Sequence, residues 1–211
     1  MAVVAGRQPD YVPWIARLVL WYNAHRKQGT LPERYRGWSL YDIHRDLRVG
    51  ILERGNVYSE RLRNVQVHET RRGNETFVEY STPVGKVSTT FHSTPALSAV
   101  DLQPYRTAHM VRRREDYAVA RYIVEHTELA PEYEKFSALD EQVRDDGVVL
   151  ARIGRSPFQR AMIEFVGAPQ IFYELYDNLP ELERLLGTLA EQSREVHRIA
   201  AASPCGRSDT A

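Results

Sequence analysis

With 211 residues, 43% of them hydrophobic, the chain can bury a sizeable core, which excludes a polypeptide disordered throughout. Its 28 basic and 28 acidic residues cancel, so the charge balance asks for neither nucleic acid nor an anionic membrane as partner. A single cysteine, Cys205, excludes an internal disulfide and any Cys-x-x-Cys metal or redox pair, and it fits a reducing, cytoplasmic location.

The N-terminal residues MAVVAGRQPDYVP lack the basic start, apolar core and small-residue cleavage site of a secretion signal, and no run reaches ~18 apolar residues. Lysine occurs only at Lys27, Lys86 and Lys135, so the positive charge is nearly all arginine. That fits carboxylate or phosphate binding, and a GC-rich coding sequence explains it as well.

Residues 9–25, PDYVPWIARLVLWYNAH, read as a buried strand running into a helix or loop, with helix throughout as the competitor. Gly29 and Pro32 make 26–36 a loop. Ser39 is an N-cap candidate, with Leu40, Ile43 and Leu47 on one face, and it predicts a helix over about 39–48. Alternation of Val65, Val67, Phe77, Tyr80, Val87, Thr89 and Phe91 around two glycine-containing turns predicts an antiparallel meander over 65–91, beside the main sheet.

Tyr117, Ala120, Ile123 and Val124 form a helical stripe within 114–127, and Pro131 reads as the first residue of a further helix. Residues 147–167, GVVLARIGRSPFQRAMIEFVG, give an apolar strand, a polar turn at Gly154, Arg155, Ser156 and Pro157, and then a helical pattern. Ligands of parallel α/β proteins bind at such strand-end turns. After 168–176, Asn178 reads as the cap of a long amphipathic helix ending near Ala202, whose stripe Leu182, Leu185, Leu186, Leu189, Val196 and Ile199 must cover a sheet. The end of the chain, SPCGRSDTA, continues no pattern. A single domain over 1–204 with a disordered tail at 205–211 follows.

Several of these pieces resemble the uroporphyrinogen decarboxylase superfamily, which includes porphyrinogen decarboxylases and corrinoid-linked methyltransferases. The similarity runs over about 9–204. Residues 153–164, IGRSPFQRAMIE, look like the family's Gly-x-x-Pro-Phe turn and following Met-Ile-Glu helix. Thr82-Pro83-Val84-Gly85 looks like the Thr-Pro-x-Gly of the methyltransferase branch, and LYDNLPELERLL (175–186) looks like that branch's Asp-x-Pro-Glu helix start, with Asn178 in the aspartate's place.

The resemblance implies an α/β fold of (β/α)8 TIM-barrel type. A whole barrel needs ~250 residues, so the expectation is a partial barrel with an N-terminal antiparallel β-meander excursion. It also implies methyl transfer between a corrinoid and a thiol or folate acceptor, from a truncated chain. Decarboxylation of uroporphyrinogen in porphyrin biosynthesis is the first alternative, and a non-catalytic half-barrel that pairs with another chain, as in a homodimer, is the second. Zinc and a corrinoid protein partner are implied for the intact methyltransferase-type protein. The family's zinc ligands fall in later strands, so this chain is expected to bind a small-molecule substrate and no metal.

Five residues are candidates for substrate binding. Arg26, with Gly29, Leu31, Pro32 and Glu33, resembles the decarboxylase segment whose arginines hold propionates, although the second arginine falls on Thr30. The tyrosine of that branch falls on Ala161 or Ile163, and its aspartate has no match. Arg155 and Ser156 sit in the strand-end turn, where Ser156 serves equally as a helix cap. His25 and His92 each follow an apolar segment and can project from a strand end. The other histidines, His44, His68, His109, His126 and His197, form no metal-binding spacing.

Overall fold

The computed structural model describes residues 6–10, 12 and 14–204. Cys205 and the tail at 205–211 lie outside these residues, as do Tyr11 and Pro13. Helix α1 (Val19–Gln28), half of it Leu, Ala, Arg, Lys and Gln, good helix formers, is the helix into which the strand read in 9–25 was expected to run. Only one parallel bridge, Ile15 to Gly50, remains of that strand. Gly29, at φ 67°, closes α1: its N–H donates to the Arg26 carbonyl, and the Thr30 N–H donates to the His25 carbonyl. Helix α2 (Leu40–Asp46) opens on a capping box between Ser39 and Asp42 and buries Ile43.

Among the described residues the strands fall into three sheets: β1 (Ile51–Gly55) pairs with β8 (Gly147–Ala151), β2 (Tyr58–Leu62) with β7 (Thr127–Pro131), and four others form a meander. The meander runs β3 (Gln66–Arg72), β4 (Glu75–Thr82), β5 (Gly85–His92), β6 (Tyr105–Ala108), with α3 (Pro95–Ala99) before its last strand. Two-residue turns join β3 to β4 and β4 to β5, and so short a link permits only antiparallel pairing. Gly73 supplies a positive φ of 58° in the first turn. Gly85, at φ 140°, follows the second, where a Cβ would lie 3.0 Å from Val119.

This arrangement overturns the partial (β/α)8 barrel. A barrel repeats parallel strands separated by helical crossovers, whereas among the described strands only β1 and β8 run parallel. The meander is the largest sheet and no side excursion. Pro131 is also corrected: it ends β7 opposite Tyr58, and the next helix, α5 (Glu134–Val143), starts three residues later. A proline lacks the N–H that a strand interior donates, so the strand's last position accommodates it.

Helix α4 (Asp116–Glu125) buries Tyr117, Val119, Ala120, Ile123 and Val124, as its stripe predicts. The long helix α8 (Leu179–Ala201) buries Leu182, Leu185, Leu189, Val196 and Ile199. Its first three leucines share one cluster with α4, so much of the stripe covers a helix and not a sheet. A second cluster joins Ile51, Val57, Phe136, Val143 and Val149, and Ala200 of α8 packs against it. Asn178 gives no side-chain cap to α8; its amide donates to buried Glu174, which also accepts hydrogen bonds from the Tyr117 hydroxyl and the Gln170 amide. No described helix is long and apolar enough to cross a membrane.

Gly147 is the tightest point of the parallel pair, since a Cβ there would lie 2.0 Å from the Ile51 carbonyl oxygen. Gly147→Ala is expected to cost about 3 kcal/mol, as overpacking against backbone does. Gly187, in mid-α8 with open space beside it, makes the control. Gly187→Ala is expected to stabilise by about 0.5–1 kcal/mol, and urea unfolding of both variants checks the pair of signs.

Candidate binding cleft beyond strand β8

Strand β8 holds its register with β1 as far as Ala151, and the Arg152 N–H adds a bond to the Gly55 carbonyl (2.9 Å). The chain then turns at Gly154, φ 77°, and restarts as a one-turn helix, α6 (Pro157–Arg160). Ser156 caps α6: its hydroxyl accepts from the Gln159 N–H, and the Gln159 side chain accepts from the Ser156 N–H. A π-helical segment (Ala161–Val166) follows, a form that is often found at functional sites. Gly167, φ 101°, separates it from α7 (Ala168–Asp177).

Strand β2, the turn and α8 enclose a cleft of about 230 Å³. Tyr58 and Glu60 line one side, Ile153, Gly154 and Arg155 the turn side, and Arg160, Glu164, Ser193 and Val196 the rest. Glu164 bridges two guanidinium groups, accepting from Arg155 Nη1 and from Arg160 Nε, both at 3.2 Å. Arg160 is fixed further by Nη1 donating to Gln192 Oε1 at 2.6 Å. Half of the Arg155 side chain stays exposed (52%), so solvent screens its pair and leaves it worth under about 1 kcal/mol. Arg155 is therefore free to exchange Glu164 for another carboxylate.

Burial, then the Glu60 charge, raises the Tyr58 hydroxyl above its usual range, so it stays a neutral donor at physiological pH. Ser193 and His197 look like a nucleophile and base, with Ser193 Oγ 3.4 Å from His197 Nδ1. The same Nδ1 lies 2.6 Å from the Ser193 carbonyl oxygen. A carbonyl only accepts, so Nδ1 carries the proton and is no base for that hydroxyl. The remaining cleft side chains offer charge, hydroxyl donors and apolar surface. The cleft's donor set of two arginines, two glutamates, a tyrosine and a serine does not fit the thiolate- and imidazole-bound zinc implied by the family resemblance. Among the described residues no group of three His, Cys, Asp or Glu is placed to hold a metal.

The five candidates from the sequence do not form one site. Arg155 lines the cleft, while the Ser156 hydroxyl is spent on the helix cap. His25 lies in the last turn of α1, its Nδ1 2.8 Å from Thr30 Oγ1, and Arg26 stacks over Tyr22 in the same turn. His92 ends β5 against the Tyr105 ring. Tyr58, Glu60, Arg160, Glu164 and Ser193 were missed. Arg160 and Glu164 carry a helical i, i+4 signal in the sequence; the others come from distant elements.

The motifs behind the family resemblance each do local structural work. Thr82 donates its hydroxyl to the Gly85 carbonyl and accepts from the Val84 N–H within a hairpin, Ser156-Pro157 starts a helix, and Gly29-Thr30 ends one. Compared with family models, curated proteins and solved structures, the chain matches none of them.

His109 packs beside the cleft's helical wall, and a Cβ on Gly167 would lie 2.9 Å from its Nδ1. Gly167→Ala combines this clash with positive φ and is expected to cost about 2–4 kcal/mol, read by thermal unfolding. Burial, followed by the charge of Arg106, holds the His109 pKa below its usual 6.5. The unfolded chain therefore takes up this proton first as pH falls, and stability drops below about pH 6.5. His109→Gln is expected to flatten that part of the stability–pH curve.

Proposed function

We propose that the chain binds a small carboxylate-bearing molecule in the cleft beyond β8 and serves methyl transfer between a corrinoid carrier and a thiol or folate-type acceptor. Arg155 carries the binding part: it lines the cleft, half-exposed, with Glu164 as its only hydrogen-bond partner among the described residues. A planar guanidinium recognises a carboxylate through two parallel N–H donors. Arg160, pinned by Glu164 and Gln192, fixes the second wall, Tyr58 supplies a neutral hydroxyl, and Ile153 and Val196 supply apolar surface.

The methyl-transfer part is supported by the motifs at 82–85 and 175–186, which resemble the methyltransferase branch, in order with the turn at 153–164, which resembles the superfamily as a whole. A cleft of about 230 Å³ suits an acceptor molecule, which makes the corrinoid a group presented from outside on its carrier. In this role the chain's own residues hold and orient the acceptor.

Calorimetric titration of the chain with glutarate and with a carboxylate-bearing thiol tests binding. Arg155→Gln is expected to weaken either at least about tenfold, the worth of one charge-assisted hydrogen-bond pair, with the unfolding temperature unchanged. Affinity that survives Arg155→Gln would remove the cleft as the site. Thiol-dependent loss of methylcobalamin absorbance supports the transfer reading, and carbon dioxide release from a porphyrinogen instead would replace it with decarboxylation.

A further inference from the structure

Helix α7 buries two side chains in the protein, Ile171 and Glu174, three residues apart on its inner face. Its other large apolar residues point to solvent: Phe172 and Tyr173 are each 64% exposed, Tyr176 92% and Leu175 38%. Phe172 lies three and four residues from Leu175 and Tyr176, and Tyr173 three from Tyr176, so the four share one outer face. At ~200 Å² for a whole aromatic side chain, the three rings alone present about 400 Å². An apolar patch of that size is often functional.

The two ends of α7 complement each other in charge. No side chain caps its N-terminus and its first turn holds no acidic residue, so the positive end of the helix dipole stands uncompensated. Asp177, exposed at the other end, adds a carboxylate to the negative end of the dipole, where it is disfavoured. The helix contains no lysine or arginine. An anionic lipid surface, which selects basic residues beside an apolar face, is therefore a poor match.

We propose that the outer face of α7 packs antiparallel on α7 of a second copy of the chain, about a two-fold axis. Such a contact needs a surface that complements itself. With the axis at the middle of the helix, between Phe172 and Tyr173, these rings of one protomer meet the same rings of its partner. Each Asp177 then lies over the uncapped N-terminus of the opposite helix, so both misplaced carboxylates and both bare helix ends are answered at once. The rings supply about half of the ~800 Å² that each partner of a standard interface covers, and Leu175 and Leu179, 38% and 40% exposed, extend the patch. Aromatic anchors at the centre with charge kept to the rim are the composition of such interfaces. This surface shares no residue with the cleft lining, so it stands apart from what the cleft binds.

Sedimentation velocity of the full chain across the micromolar range tests the proposal, with a concentration-dependent passage from monomer to dimer expected. Phe172→Glu combined with Tyr176→Glu should raise the dissociation constant at least about a hundredfold. The monomer's unfolding temperature should not change, because both side chains are exposed in the single chain. Asp177→Asn is expected to raise the constant about threefold to tenfold, and less at high salt. Trp14→Glu, at another exposed apolar residue, is the control and should leave it unchanged.

A dimer that persists in the double variant overturns the proposal, as does one that only Trp14→Glu dissociates. A dimer that Asp177→Asn leaves equally tight contradicts the antiparallel pairing and overturns it too. A chain that stays monomeric throughout also overturns it; binding to phosphatidylcholine vesicles that the double variant loses would then name a lipid surface as the occupant.

Discussion

The apolar stripe of α8 is the constraint on which the rest of the structure depends. At 1.5 Å per residue its 23 residues span roughly 34 Å, enough to touch both hydrophobic clusters. Leu182, Leu185 and Leu189 close the cluster shared with α4 and the meander, while Ala200 packs on the cluster of Phe136, Val143 and Val149. The Tyr133 hydroxyl donates to the Ile199 carbonyl at the same end. The second cluster alone is small, and small cores hold poorly. One helix running across both makes them interdependent.

The cleft is a product of that span. Gln192, Ser193 and Val196 are on α8, so the helix that joins the clusters also provides the wall facing Tyr58 and the Gly154 turn. Arg160 is steered onto Glu164 by the helical repeat and onto Gln192 by the packing of α8. Buried Glu174, held by Tyr117, Gln170 and Asn178, locks α4, α7 and the start of α8 into one register. The orientation of the wall thus rests on a satisfied polar network as well as on apolar contact.

Short motifs proved to be statements about local backbone. A threonine and glycine flanking Pro83-Val84 make a hairpin, Ser156-Pro157 with Gln159 makes a helix start, and Gly29 makes a helix stop. Each works by satisfying backbone groups or by supplying a backbone angle, within five residues of itself. Such motifs place strands and helices in the right order without deciding how the strands pair, which is why the barrel expected from them did not appear.

The sequence by itself determined the elements whose physics is local or periodic. The stripe of Tyr117, Ala120, Ile123 and Val124, the leucines of α8, the cap at Ser39, the hairpins at Gly73 and Gly85 and the strand before Gly154 were all legible, because spacing and turn chemistry are written in neighbouring residues. Tertiary structure alone decided the rest. That β1 pairs with β8, that Pro131 ends a strand against Tyr58, and that α8 covers α4 all depend on partners far away in the chain. The site divides the same way: Arg155 was visible from its turn, whereas Tyr58, Glu60 and Ser193 joined it from separate elements, with no local pattern to mark them.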